Sequence, residues 1–76
     1  MTPDPARTIA RAVEMIVQDG QITVSGRTVH RYVVGLAERQ LIEATLRRHR
    51  GNQVATAIAL GINRATLRKK IRLYAL

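Results

Sequence analysis

The sequence contains no cysteine, no tryptophan and no phenylalanine, and its only aromatic residues are Tyr32 and Tyr74. Without cysteine, disulfides and thiolate metal sites are excluded. The two histidines, His30 and His49, stand too far apart to form a spaced ligand pair. No run approaches the roughly 20 apolar residues that a membrane span requires. The opening segment "MTPDPARTIARAVEMIV" has no uninterrupted apolar stretch and no small-residue cleavage site, so it does not read as a secretory signal. A cytoplasmic protein without membrane association is expected. There is no paired-carboxylate site, no phosphate-cradling glycine loop and no nucleophile with a base beside it, so neither an enzyme nor a bound metal or cofactor is expected.

Acidic residues are also scarce, and their placement is uneven. Residues 1–43 carry Arg7, Arg11, Arg27, Arg31 and Arg39 against Asp4, Glu14, Asp19, Glu38 and Glu43, and are neutral overall. Residues 44–76 carry Arg47, Arg48, Arg50, Arg64, Arg68, Lys69, Lys70 and Arg72 with no acid at all, and so hold the whole net charge of +8. A one-sided field of this kind suits a polyanion, and nucleic acid fits better than a membrane. A charged face that serves only solubility usually mixes both signs.

What is present reads as an all-α chain. Its 76 residues permit one domain with a thin core, which makes oligomerisation the natural source of further buried surface. Asp4 caps a first helix with Pro5 at its first position, and Ile9, Val13, Ile16 and Val17 form its apolar stripe up to Asp19-Gly20. Residues 21–27, "QITVSGR", alternate apolar and polar residues, which suggests a short extended piece near 21–25 and a turn at Ser25-Gly26. From Thr28 to about Arg50 the pattern is helical again. Val34, Ala37, Leu41 and Thr45 share one face and Ile42 and Leu46 an adjacent one, so this helix needs two neighbours. The helix-supporting pair Glu43 and Arg47 is spaced i, i+4, and Gly51 is expected to end the helix.

Two short helices complete the chain. Asn52 caps residues 53–60, with Val54, Ala57, Ile58 and Leu60 as the expected inner face, and Gly61 closes it. Asn63 caps the last helix, and Ile62 is placed to pack on Leu67 four residues into it, the arrangement called a hydrophobic staple. Helix, glycine-containing turn, helix is the outline of a helix-turn-helix. On the last helix, Leu67, Ile71 and Tyr74 form the buried stripe, which turns Arg64, Thr66, Arg68 and Lys69 outward. Arg64 is placed to donate two hydrogen bonds to a guanine edge, Lys70 and Arg72 to meet phosphates, and Asn52 and Gln53 to anchor another phosphate. A single domain over residues 1–76 is expected, with 1–50 as dimerisation helices and 51–76 as the helix-turn-helix segment.

The segment "ERQLIEATLRRHRGNQVATAIALGINRATLRKKIRLYAL" resembles the C-terminal domain of the Fis family and the related DNA-binding segment of NtrC-type activators. Gly51-Asn52-Gln53, Leu60-Gly61-Ile62-Asn63-Arg64, and Thr66-Leu67-Arg68-Lys69-Lys70 with Tyr74 carry the likeness, which covers residues 38–76. The resemblance implies a homodimer whose first two helices intertwine, with Ile9, Val13, Ile16, Val17, Val34 and Leu41 at the interface. It implies binding and bending of loosely defined double-stranded DNA sites, as a transcription regulator or nucleoid-associated protein. Asn63, Arg64, Thr66, Arg68, Lys69 and Lys70 would lie on DNA, and Asn52 and Gln53 on its backbone. Arg72 adds a phosphate contact, and Arg47, Arg48 and Arg50 are candidates for flanking DNA. RNA polymerase and a recombinase are candidate protein partners.

The sequence departs from the Fis pattern in carrying Val54 and Ala55 where threonine and arginine follow Gly-Asn-Gln. Only four residues precede the first helix, so the invertase activation that depends on the N-terminal arm of Fis is not expected. The ATPase domain of NtrC-type activators is also lacking, so binding, bending or recruitment is the expected mode of action. The alternative is an adaptor dimer whose basic tail binds an acidic protein or RNA.

Overall fold

The computed structural model describes residues 2–19 and 28–76. Among them are four helices and no strand: α1 (Pro5–Asp19), α2 (Val29–Arg48), α3 (Gln53–Leu60) and α4 (Arg64–Leu73). The extended piece expected near 21–25 and the Gly20 and Ser25-Gly26 turns lie outside the described residues. Contacts divide the chain into two compact units, Met1–Val34 and Gly35–Leu76, with the boundary inside α2.

In the first unit, α1 begins where its cap and proline require. Asp4 Oδ1 accepts a hydrogen bond from the Ala6 N–H at 3.1 Å, and Pro5 is the first helical residue. The stripe is present, but none of the helix is buried: Ile9, Met15 and Val17 are 61–70% exposed, and Val13 and Ile16 are half-buried. Thr28 Oγ1 accepts from the Arg31 N–H at 3.4 Å and serves the start of α2.

In the second unit, Ile42 of α2, Ala57 of α3 and Leu67 of α4 form the buried apolar centre. Leu46, Leu60, Ile62, Ile71, Tyr74 and Leu76 pack around it. The Ile42/Leu46 face of α2 is therefore the inward one, while Val34, Leu36 and Leu41 remain about half exposed. Ile62 joins the cluster that contains Leu67, as the staple predicts.

The inner face of α3 differs from the expected one. Thr56 and Ala57 are buried and Leu60 half-buried, whereas Val54 and Ile58 are 47% and 76% exposed. At about 100° per residue, Val54 and Ile58 lie on the far side of the axis from the line between Thr56 and Leu60. Burial of Thr56 is tolerated because its hydroxyl donates to the Asn52 carbonyl at 2.7 Å, leaving no unsatisfied polar group.

Three helices end in the same hydrogen-bonded turn. After α2, the Arg50 N–H donates to the Arg47 carbonyl and the Gly51 N–H to the Leu46 carbonyl. After α3, Gly61 and Ile62 donate in the same way to Ile58 and Ala57, and after α4, Ala75 and Leu76 donate to Arg72 and Ile71. This is the Schellman pattern, which requires a left-handed residue at the first of each pair. Glycine fills that position only at Gly61 (φ 69°); Arg50 (φ 54°) and Ala75 (φ 55°) adopt it with a side chain. The turn after α2 is therefore made one residue earlier than Gly51, which itself follows at φ 80°.

A left-handed conformation costs an ordinary residue about 1–2 kcal/mol, more than the entropy that glycine adds to the unfolded chain. Arg50→Gly is expected to raise the unfolding free energy by about 0.5 kcal/mol in urea titrations. A destabilised variant would show that the arginine side chain makes a compensating contact.

Candidate nucleic-acid interface

The surface expected to face DNA is assembled by α3, α4 and the turns around them. Asn52 and Asn63 both hold extended backbone conformations just before their helices. Asn52 Oδ1 accepts from the Ala55 N–H at 3.1 Å, and Asn63 Oδ1 from the Ala65 N–H at 2.7 Å. Each asparagine thus satisfies one of the unpaired donors of a helix start. The Asn63 cap sets the first turn of α4, where Arg64 and Thr66 stand exposed.

Leu67 is fully buried and Ile71 and Tyr74 half-buried, so the stripe anticipated for α4 is the one that packs inward. Asn52, Asn63, Arg64, Thr66, Arg68, Lys69 and Arg72 are all exposed, as are Arg47, Arg48 and Arg50. Gln53 and Lys70 are half-buried. Among the described residues, Arg48, Arg50, Arg64, Arg68, Lys69 and Arg72 make no ion pair with an acid. Arg47 lies 3.8 Å from Glu43, which Arg39 approaches more closely at 3.2 Å. These pairs are exposed and contribute little beyond local helix support.

Lys70, expected to meet a phosphate, is engaged inside the protein in the DNA-free chain. Its Nζ is 2.8 Å from Glu38 Oε1 on α2, and the Tyr74 hydroxyl donates to the same oxygen at 2.6 Å. The reason lies in the helical period: Lys70 is four residues before Tyr74 and flanks the buried stripe, so it sits at the edge of the packed face. Hydrogen bonds from Lys70 and then from Tyr74 hold the Glu38 carboxyl below its ordinary value of 4.5, against the opposing effect of burial.

The pH consequence follows from that direction. A carboxylate with a lowered folded-state value stabilises the fold above its unfolded value, and this is lost as pH falls through the folded value. The stability difference between wild type and Glu38→Gln is therefore expected to be constant above about pH 4.5 and to shrink below it. Unfolding midpoints measured from pH 6 to pH 2.5 check this (on the order of one curve per half unit), and a constant difference throughout would contradict it.

Glu38 and Thr56 carry structural roles that composition and motif reading passed over. The Glu38 signal was available: it stands four residues before Ile42 and therefore shares the inward face of α2. Thr56 gave no such sign, because its polarity argued for solvent.

Residues 34–74 match a family model described as "Bacterial regulatory protein, Fis family". The matched span coincides closely with the second compact unit. No solved structure matches the chain.

Proposed function

The chain belongs to the Fis family of bacterial regulatory proteins and carries a DNA-binding helix-turn-helix, and from that premise we propose that it binds and bends double-stranded DNA as a homodimer. Its role would be transcription regulation or nucleoid architecture. The observation that supports this most is the outward surface of α4, where Arg64, Arg68, Lys69 and Arg72 are exposed and without acidic partners among the described residues. Such a surface neutralises phosphates and releases counterions, which makes affinity steeply salt-dependent.

In this reading α4 enters the major groove, with Arg64 and Thr66 at base edges and Arg68, Lys69 and Arg72 along the backbone. Asn63 holds the start of that helix beside the DNA. Asn52 and Gln53 meet a neighbouring phosphate, and Arg48 and Arg50, with Arg47, reach flanking DNA when the duplex bends toward them.

Support for the dimer comes from apolar residues that one chain leaves uncovered. Ile9 and Val17 of α1 and Val34 and Leu41 of α2 are 48–65% exposed, and Val13 and Ile16 only half-buried. A second copy presents the same residues, and twofold pairing buries them on both chains at once. Two recognition helices then meet sites about one helical turn apart.

Mobility shifts on mixed-sequence duplex DNA in moderate salt, with sedimentation of the free protein, test the proposal. The expected result is a dimer that retards DNA at sub-micromolar concentration, with binding that weakens steeply as salt rises. A stable folded monomer would remove the dimer. Absence of any shift at micromolar protein would instead favour the adaptor that binds RNA or an acidic protein.

A further inference from the structure

Glu38 receives two hydrogen bonds on one oxygen from donors one turn apart, Lys70 on α4 and Tyr74 at its C-terminal cap. All three residues are half-buried, and they lie 32 and 36 positions apart in sequence, so this is a tertiary tie between α2 and α4. The apolar contact through Leu67 and Ile71 decides which side of α4 faces inward. Being non-directional, it leaves some freedom of rotation about the helix axis. Two directional hydrogen bonds from successive turns remove that freedom. Rotation matters because productive contacts need their side chains held within about 0.5 Å and 10–20°.

The same geometry argues against Lys70 as a phosphate ligand. Moving its ammonium to DNA would leave the half-buried Glu38 carboxylate without its cation, close to a polyanion. Arg39, the next residue, is already engaged with Glu43 and does not replace it.

We propose that Glu38 is a positioning residue for the recognition helix: through Lys70 and Tyr74 it sets the rotation of α4 and so aims Arg64 and Thr66 at the bases, with Lys70 acting inside the protein. This rests on α4 being the DNA-reading helix. Lys70 then belongs to the machinery that confers preference, although it contributes little to the electrostatic grip.

The test compares wild type with Glu38→Gln, Lys70→Met, Lys70→Glu and the exchanged pair Glu38→Lys/Lys70→Glu. Binding is followed by fluorescence anisotropy across a salt series. The probes are a duplex selected by wild type from a random-sequence pool and a scrambled duplex of the same composition. Glu38→Gln is expected to weaken binding to the selected duplex roughly tenfold and to leave the scrambled one within about twofold, as for coupled neighbours. Lys70→Met should lose preference in the same way while keeping the wild-type salt slope. The exchanged pair has the wild-type net charge and should recover most of the preference that Lys70→Glu loses.

The inference is overturned if Lys70→Met weakens both duplexes alike and lowers the salt slope by about one. It is equally overturned if the exchanged pair binds as poorly as Lys70→Glu. Circular dichroism confirms that each variant is folded, and the exchanged pair guards against simple loss of structure. Amide exchange on the DNA-free protein separates this failure from failure of the DNA reading. If wild type selects no duplex from the pool, faster exchange at the Tyr74 and Leu76 N–H groups of Glu38→Gln than of wild type would reject the DNA reading and retain the tie. Unchanged exchange in a wild type that binds DNA would reject the tie alone.

Discussion

Arg64→Ala is expected to remove most of the protein's ability to tell one duplex from another, at a loss of about 1–3 kcal/mol in discrimination. Affinity for random sequence should fall much less. The argument begins with the cap: Asn63 accepts from the Ala65 N–H, which makes Arg64 the first residue of α4. First-turn residues of a recognition helix are those that reach base edges. Arg64 is exposed, has no acidic partner among the described residues, and carries the planar fork that matches the two acceptors on guanine. Lysine there would keep the charge and lose the fork, so Arg64→Lys should retain salt-dependent binding with reduced preference. Competition between selected and scrambled duplexes measures both variants. If Arg64→Ala leaves preference and affinity untouched, another residue reads the sequence.

Leu67→Ala should have the largest effect on the fold, destabilising it by about 2–5 kcal/mol. Leu67 is 0% exposed and is one of three apolar residues at the buried centre, each supplied by a different helix. Whole domains are stable by only about 5–15 kcal/mol, so the variant should be partly unfolded at 37 °C (roughly a 5–30-fold change in folded ratio for each 1–2 kcal/mol). The cavity would open between α2, α3 and α4, at the buried centre that all three share. Thermal unfolding by circular dichroism checks this. A melting temperature within a few degrees of wild type would mean that Ile62, Ile71 and Tyr74 collapse into the space.

The helices were legible in the sequence because local signals for each agree. Asp4-Pro5, Asn52 and Asn63 mark starts by hydrogen bonds that reach only two or three residues, and the Leu67/Ile71/Tyr74 stripe marks a face by spacing alone. The departures have one physical cause: they depend on partners or backbone states that spacing does not encode. Arg50 takes a conformation that its residue type disfavours, so the turn was placed at the glycine beside it. Thr56 is buried because a carbonyl four residues earlier satisfies its hydroxyl, whereas Val54 and Ile58, more apolar, face outward. The Lys70–Glu38 pair was not foreseen because its members are remote in sequence, although both flank the packed faces of their helices. The exposed cations of α4 needed no such partner, and their outward direction follows from the apolar stripe opposite them.

The repeated turn that closes α2, α3 and α4 is made from main-chain donors and acceptors, so almost none of the surface side chains is required to hold it. The exposed side chains proposed to touch DNA are thereby largely separate from the contacts that close the helices. Substitutions at the exposed Arg64, Thr66, Arg68 or Lys69 can accumulate with little penalty to folding, and on the proposed reading of these residues a lineage can drift from one DNA site to another without passing through an unfolded intermediate. Evolvability of this kind predicts that a library randomised at those four positions will yield mostly folded members, and that new sequence preferences can be selected from it on an unchanged scaffold.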